Sequence, residues 1–352
     1  MGNRWNAIIK AVLVQIVLLS VIACSNNQAI VQRQDTDPSA DDTQQTDMIN
    51  PITTKVSLML DRYPNAMHAF IYTAIANGYF REKGIELDIK QPGEPNEGLT
   101  LVGLDVIDLT LASQPHVLMA RADEIPVVSI AAVVRHPLNY LMIPKSSAVQ
   151  SPKNLAHRKV GYPGDGVSLA ILKTMMLSDE SDPDQVVMVN VKRNFVQAIA
   201  SHQVDAILGG NINEDRILLA NRMQPVRTIE PNLYGVPEYY ELVLVANEGM
   251  VEAKSELLQT IWEILARGQQ DVIDNPQQAI THVMNKQNKN FPLTMKVESE
   301  SLSMLLPFMS NEADAFGLQS KSVWSEVGNW LDETGLMRRS VDSDDAYVDL
   351  AN

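Results

Sequence analysis

The chain carries a single cysteine, Cys24, among 352 residues. An internal disulfide, a cysteine-based metal site and thiol catalysis are therefore excluded. Histidine is sparse and scattered: His68, His116, His136, His157, His202 and His282 form no HxH or HxxxH pair and join no acidic cluster of ligand type, so no metal is expected. Positive charge is also short. With 28 Lys and Arg against 43 Asp and Glu, the net charge of −15 argues against nucleic acid as a partner. It argues equally against a basic surface lying on anionic lipid. Aromatic residues make up only 5% of the chain, yet hydrophobic residues reach 45%, the balance of an ordinary α/β protein. Stability must come from a conventional core, and the length allows two domains of common size.

Long apolar runs are missing apart from Ala11 to Ala23, which follows the basic Arg4 and Lys10 and is too short to remain in a bilayer as a spanning helix. It reads as an export signal. Val21, Ile22 and Ala23 lead directly into Cys24, an order that resembles a bacterial lipobox and would make Cys24 the acylated mature N-terminus. From Ser25 to about Thr54 the chain is dominated by Gln, Asp, Thr, Ser and Asn and cannot bury a core. The expectation is a signal over 1–23 and an acylated cysteine with a disordered linker over 24–54, the exported protein being tethered to a membrane by lipid and not embedded in it.

From Lys55 onward, strand patterns alternate with amphipathic helices, which implies parallel sheets covered on both faces. VSLMLD, ELDIKQP, VIDLTLAS and IPVVSIAAVV read as strands of a first unit, with Asn65 placed to cap a helix running to about Gly78. KVGYPG, VVMVNV and VDAILGG repeat the plan. VIDLTLAS and QVDAILGG echo each other, each with Asp ahead of an apolar strand that ends in small residues, and so imply two lobes of one design. YYELVLVAN then returns the chain to the first unit, before helices over about 255–273 and 276–285 and a last helix with Trp324 and Trp330. The expected layout is a first lobe of 55–139 plus 242–340, an inserted lobe of 140–241, and a tail of 341–352. Extended crossings near 138–142 and 239–245 would form a two-strand hinge. A small molecule would sit between the lobes, near strand ends and helix N-termini.

The segments LDRYPNAMHAFIYTAIANGYF, IPVVSIAAVVRHPLN, SPKNLAHRKVGYPG, YGVPEYYELV and VWSEVGNWLDETGL together resemble the solute-binding lipoproteins of ABC importers for thiamine pyrimidine precursors, the formylaminopyrimidine-binding proteins. The likeness covers nearly everything after the linker. It implies an α/β, two-lobed, type II periplasmic-binding-protein fold, a monomer with no cofactor and no catalytic residue, and permease and ATPase subunits as partners. The cargo would be of the formylaminopyrimidine or hydroxymethylpyrimidine type. Carried over by motif, Asn65 and Glu241 would pair the edges of a heteroaromatic ring and Tyr239 and Tyr240 would supply its walls. Gly164 precedes a helix N-terminus, where backbone N–H groups can meet a ligand oxygen, and Ser168 can add a hydroxyl. Gln114, at the end of a strand, and His68 complete the candidates. Asn65 equally fits a plain helix cap, Tyr239 a core residue, and the glycines a turn.

Two departures stand out. Arg62 occupies a place where the resembled proteins usually carry Trp, and Asn211 and Ile212 stand where they carry an aromatic pair. Arg62 can stack by its guanidinium plane or attract an anionic group, which keeps riboflavin, sulfonate and other anionic cargoes open. Among other classes, a pyrimidine synthase would use a histidine near the first helix, where His68 lies, but needs a Cys-rich motif that is absent. A hydrolase at GDGVSLA lacks the frame of a nucleophile elbow. A signalling sensor would share the cleft fold.

Overall fold

Two five-stranded sheets organise residues 53–310 and 315–351, the part of the chain described by a computed structural model. The export signal, Cys24 and nearly all of the linker fall outside the described residues. The strands are β1 (Thr54–Met59), β2 (Ile85–Lys90), β3 (Leu109–Ala112), β4 (Val127–Val134), β5 (Leu141–Pro144), β6 (Lys159–Tyr162), β7 (Val187–Asn190), β8 (Ala206–Ile207), β9 (Val226–Ile229) and β10 (Leu242–Asn247). The first sheet has the order β2-β1-β3-β10-β4 and the second β7-β6-β8-β5-β9. β3 and β8, which carry the sequence echo, hold the same third place in their sheets.

Both sheets are mixed. β1 is parallel to β2 and β3, whereas β10 is antiparallel to β3 and β4. In the second sheet β6 is parallel to β7 and β8, and β5 is antiparallel to β8 and β9. A single strand in each sheet thus opposes the other four, and it is the first strand after each crossing. Such a strand arrives from the other lobe instead of through a βαβ connection, so nothing forces it to run parallel. β4 and β10 are buried along their whole length, as near-continuous Val, Ile, Leu and Ala strands covered on both faces should be.

Of the expected extended crossings, 141–142 and 242–245 lie in β5 and β10, whereas 138–140 and 239–241 are not in a strand. Between β4 and β5 the chain runs irregularly over 135–140, and between β9 and β10 over 230–241 with one short helical turn, Pro231–Tyr234. The reason lies in competing hydrogen bonds. The Tyr240 carbonyl accepts from the Gln114 backbone N–H at 3.0 Å, and the Tyr240 N–H donates to Gln114 Oε1 at 2.9 Å, so this peptide is unavailable to a ladder. Pro137 and Pro237 add positions without an N–H.

The first helix opens as a 3₁₀ turn, Ala66–His68, and continues as α-helix Ala69–Ala76. It lies so close to the helix Ser255–Asp274 that a Cβ on Gly268 would sit 2.4 Å from the Phe70 carbonyl oxygen. Besides the short helices Tyr79–Glu82 and Glu248–Ala253, two further helices were not anticipated from sequence. Met295–Met309 carries Pro307 in its last turn and alternates Ser with Glu near its start, and Asp215–Asn221 is only two turns long. Residues 341–351, expected as a tail, fold back on the first lobe. Val348 donates to the Ser129 carbonyl of β4 at 2.8 Å, and Tyr347 stacks on Trp324 with centroids 5.5 Å apart. The segment covers an edge strand that would otherwise present unpaired peptide groups.

Candidate functional site

The loop after β1 concentrates charge that its short sequence span, Asp61 to His68, does not advertise. Asp61 accepts from Arg62 Nε at 2.6 Å and from His68 Nε2 at 2.8 Å. The backbone N–H of Asn65 donates to His68 Nδ1 at 3.2 Å, which fixes the imidazole as the Nε2–H tautomer with both nitrogens occupied. Burial works against the Asp61 carboxylate, yet Arg62 and His68 outweigh it and hold its pKa well below the usual range. Asn65 is spent locally as well. Its Oδ1 accepts from the Met67 N–H at 2.8 Å and its Nδ2 donates to the Tyr63 carbonyl at 3.1 Å, completing a capping box in which His68 takes the part usually played by Glu or Gln.

The two crossings meet at Glu241. Its side chain is 8% exposed and its Oε2 accepts from the Leu138 N–H at 3.0 Å, tying one crossing to the other. Burial pushes the Glu241 pKa up to about 7, against the pull of the Leu138 N–H and the nearby Arg62. The Tyr239 hydroxyl lies by Glu241 and Asn139, and its pKa is raised by burial and then by the Glu241 charge. Tyr240 is turned the other way: its hydroxyl accepts from the Ser320 N–H at 2.7 Å and its ring meets Trp324 edge-on. Gln114 is fully buried; its oxygen accepts from the Tyr240 N–H, whereas its Nε2 finds no hydrogen-bond partner among the described residues. A buried acceptor of near-neutral pKa and an amide donor are the group types that complement a small ring with both donor and acceptor edges.

The second lobe contributes two loops. At β6, Gly164 has φ of +99° and a Cβ there would strike Asn190 at 2.4 Å, so the position requires glycine. The following helix, Gly166–Ser178, is capped by Asp165, whose Oδ1 accepts from the Ser168 N–H at 2.6 Å and whose Oδ2 accepts from Ser168 Oγ at 3.2 Å. A carboxylate therefore already faces this helix end, and the buried Ser168 hydroxyl is turned inward. At the other loop, Asn211 with its amide oxygen toward Arg62 accepts from Nη1 and Nη2 at 2.8 and 3.2 Å. Ile212 is core, and its N–H donates to the Leu138 carbonyl at 2.9 Å. The structure thus gathers Arg62, Tyr239 and Glu241 near one another. It gives Asn65, His68 and Ser168 internal partners and directs Tyr240 to the C-terminal segment.

Sequence reading missed Asp61, Asn139, Glu214, Asp215 and Glu298. Glu298, on Met295–Met309, is 5% exposed, and its Oε2 accepts from the Ala66 N–H at 2.8 Å. Burial raises its pKa to about 7, with the Glu214 charge adding to the rise. The folded protein therefore keeps a proton that the unfolded chain releases near 4.5. Its contribution is present in full below that value and is lost as pH rises toward 7. Glu298→Gln keeps an acceptor for Ala66 without the charge. Urea unfolding is expected to find it more stable than the parent by roughly 2 kcal/mol at about pH 8, the difference closing by about pH 5.

Residues 65–279 match the model of a family described as NMT1/THI5 like. The chain belongs to that family. Among NMT1/THI5-like relatives, the formylaminopyrimidine-binding protein of Halalkalibacterium halodurans is 40% identical over 84% of this chain and 90% of its own length. The 4-amino-5-hydroxymethyl-2-methylpyrimidine phosphate synthase of Aspergillus parasiticus is 22% identical, covering 81% of this chain and 84% of that one. Among solved structures, the periplasmic aliphatic sulphonate binding protein SsuA of Escherichia coli superposes with a TM-score of 0.64 at 12% identity, over 84% of this chain and 92% of the other. At that identity the likeness speaks for the fold, which is the type II periplasmic-binding-protein fold.

Proposed function

We propose that this NMT1/THI5-like chain is the solute-binding component of an ABC importer and that it captures a thiamine pyrimidine precursor, of the formylaminopyrimidine type, between its two lobes. The observation that carries the reading is the 40% identity, sustained over 84% of the chain, with a formylaminopyrimidine-binding protein. Glu241 fits it chemically. A buried carboxylate at the meeting of the two crossings accepts from an exocyclic amine, and an amide such as that of Gln114 offers a donor to a ring nitrogen or formyl oxygen.

Binding without chemistry is part of the proposal, although the synthase relative shares the family. His68, the residue nearest to a synthase role, is fully buried with both ring nitrogens engaged, so no ring nitrogen is free to react or to hold a cofactor. The aliphatic sulphonate alternative would want a surplus of positive charge at the site. Arg62 is instead matched by Asp61 and, at 3.9 Å, by Glu214.

A thermal-shift panel of formylaminopyrimidine, hydroxymethylpyrimidine, thiamine, riboflavin and an alkanesulfonate tests the reading. Saturable stabilisation by a pyrimidine alone is expected. Stabilisation by the sulfonate or riboflavin with silence from both pyrimidines would overturn it. Export and anchoring through an acylated Cys24 belong to the same proposal and rest on the order Val21, Ile22, Ala23, Cys24 after an apolar run. Cys24→Ser is expected to shift the protein from the membrane pellet to the soluble fraction almost completely; retention in the pellet would contradict it.

A further inference from the structure

We infer that Arg62 is a positioning residue that clasps the two lobes together, rather than a reader of ligand charge; the inference rests on the two-lobed binding role proposed above. Arg62 follows β1 of the first lobe, and its guanidinium reaches Asn211 and Glu214, which follow β8 of the second. Asp61 holds it from behind at 2.6 Å, so the planar fork is oriented before it meets the other lobe. With Nε on Asp61 and both terminal nitrogens on the Asn211 oxygen, the guanidinium is committed to protein acceptors.

The bridge does not stand alone. On the same side, Asn213 Nδ2 donates to Ser301 Oγ at 2.9 Å, both residues being buried, and Lys296 Nζ donates to Asn221 Oδ1 at 3.2 Å. Ser301 and Lys296 belong to the helix Met295–Met309 of the first lobe, and Asn213 and Asn221 flank or end the short helix Asp215–Asn221 of the second. Elsewhere, Trp330 Nε1 of the C-terminal helix Lys321–Thr334 donates to Thr174 Oγ1 of the helix Gly166–Ser178 at 2.9 Å. Direct bonds therefore join the lobes at several places, Lys296 and Arg62 both reaching across with a charged group, and at Arg62 the group reached includes a carboxylate, Glu214. Arg193 faces the same loop, where the Arg62 charge and burial lower its pKa against the pull of Asp61, Glu214 and Asp215. A clasp made of the chain's own groups favours the closed arrangement whatever occupies the cleft, and so lowers the cost that a ligand must meet to close it.

The test is small-angle scattering of the ligand-free full chain and of Arg62→Ala, Asn211→Ala, the double variant and Ser301→Ala, with cooperative melting as the check on folding. Each single variant is expected to show a larger radius of gyration than the parent, and the double variant no more than Arg62→Ala alone. Should Arg62→Ala fail to fold, Asn211→Ala and Ser301→Ala carry the comparison. Unchanged dimensions in the folded variants would overturn the inference. With a pyrimidine that binds the parent, Arg62→Ala is expected to release it roughly tenfold faster while leaving the ranking of neutral and anionic ligands unchanged. A changed ranking with unchanged scattering would make Arg62 a ligand contact and overturn the clasp. If no pyrimidine binds the parent at all, the proposed cargo fails, and the scattering still decides the clasp.

Discussion

Glu241→Ala is expected to weaken pyrimidine binding by roughly a hundredfold in a calorimetric titration, with the folded state retained. The magnitude follows from burial. A carboxylate that is 8% exposed cannot turn to water for compensation, so the ligand group it pairs is left without a partner when the side chain is removed. Stability is expected to change much less. The Leu138 N–H loses its acceptor, which is unfavourable, but a buried group whose pKa is pushed up to about 7 is a strained occupant of the folded state and its removal is partly compensating. Glu241→Gln separates the terms, because the amide oxygen can still accept from Leu138 while the negative charge is gone. pH provides the second check. The carboxylate form grows as pH rises through about 7, so affinity for a ligand that donates N–H is expected to rise over the same interval in the parent and to stay flat in Glu241→Gln. Affinity that is unaltered in a folded Glu241→Ala would remove Glu241 from the site.

Asp61→Asn is the substitution with the largest expected effect on stability, a loss of about 3 kcal/mol by urea unfolding. Asp61 satisfies two donors at once, Arg62 Nε and His68 Nε2, and both partners are largely or wholly buried. An amide at this position retains one acceptor oxygen and presents a donor where another is needed, leaving the Arg62 charge without its carboxylate. The pH dependence has the opposite sign to that of Glu298. The folded-state pKa of Asp61 is depressed, so its contribution is present above the ordinary value of 3.8 and is lost as pH falls below it. The parent is expected to lose stability steeply under acid, and Asp61→Asn to lose much less over that range. Equal acid sensitivity in the two proteins would show that the pair does not carry the effect.

Much of the architecture was legible because it is written in local periodicity. Val127 to Val134 and Leu242 to Asn247 are unbroken apolar strands, and the echo between VIDLTLAS and QVDAILGG corresponds to equivalent strands of two like sheets. What escaped depends on distant partners. Tyr239, Tyr240 and Glu241 look like the start of a strand, but Gln114, some 126 positions away, captures the Tyr240 peptide and keeps the stretch irregular. Glu298 sits in a helix whose Pro307 and Ser–Glu alternation obscure the helical signal, and only folding brings it to the Ala66 N–H, 232 positions earlier. The same limit governs the site. Asn65 carried both a capping and a binding reading in sequence, and its amide is now seen to be used in the cap. Arg62 and Asn211, which looked like two separate losses of aromatic surface, are hydrogen-bonded to each other.

The most direct test of the account is a crystal structure of the protein with formylaminopyrimidine bound. The account predicts the pyrimidine between the lobes, its amino edge within hydrogen-bonding distance of Glu241 and Arg62 still bonded across to Asn211. A pyrimidine bound away from the crossings, or in the cleft with Glu241 facing no ligand atom, would contradict it.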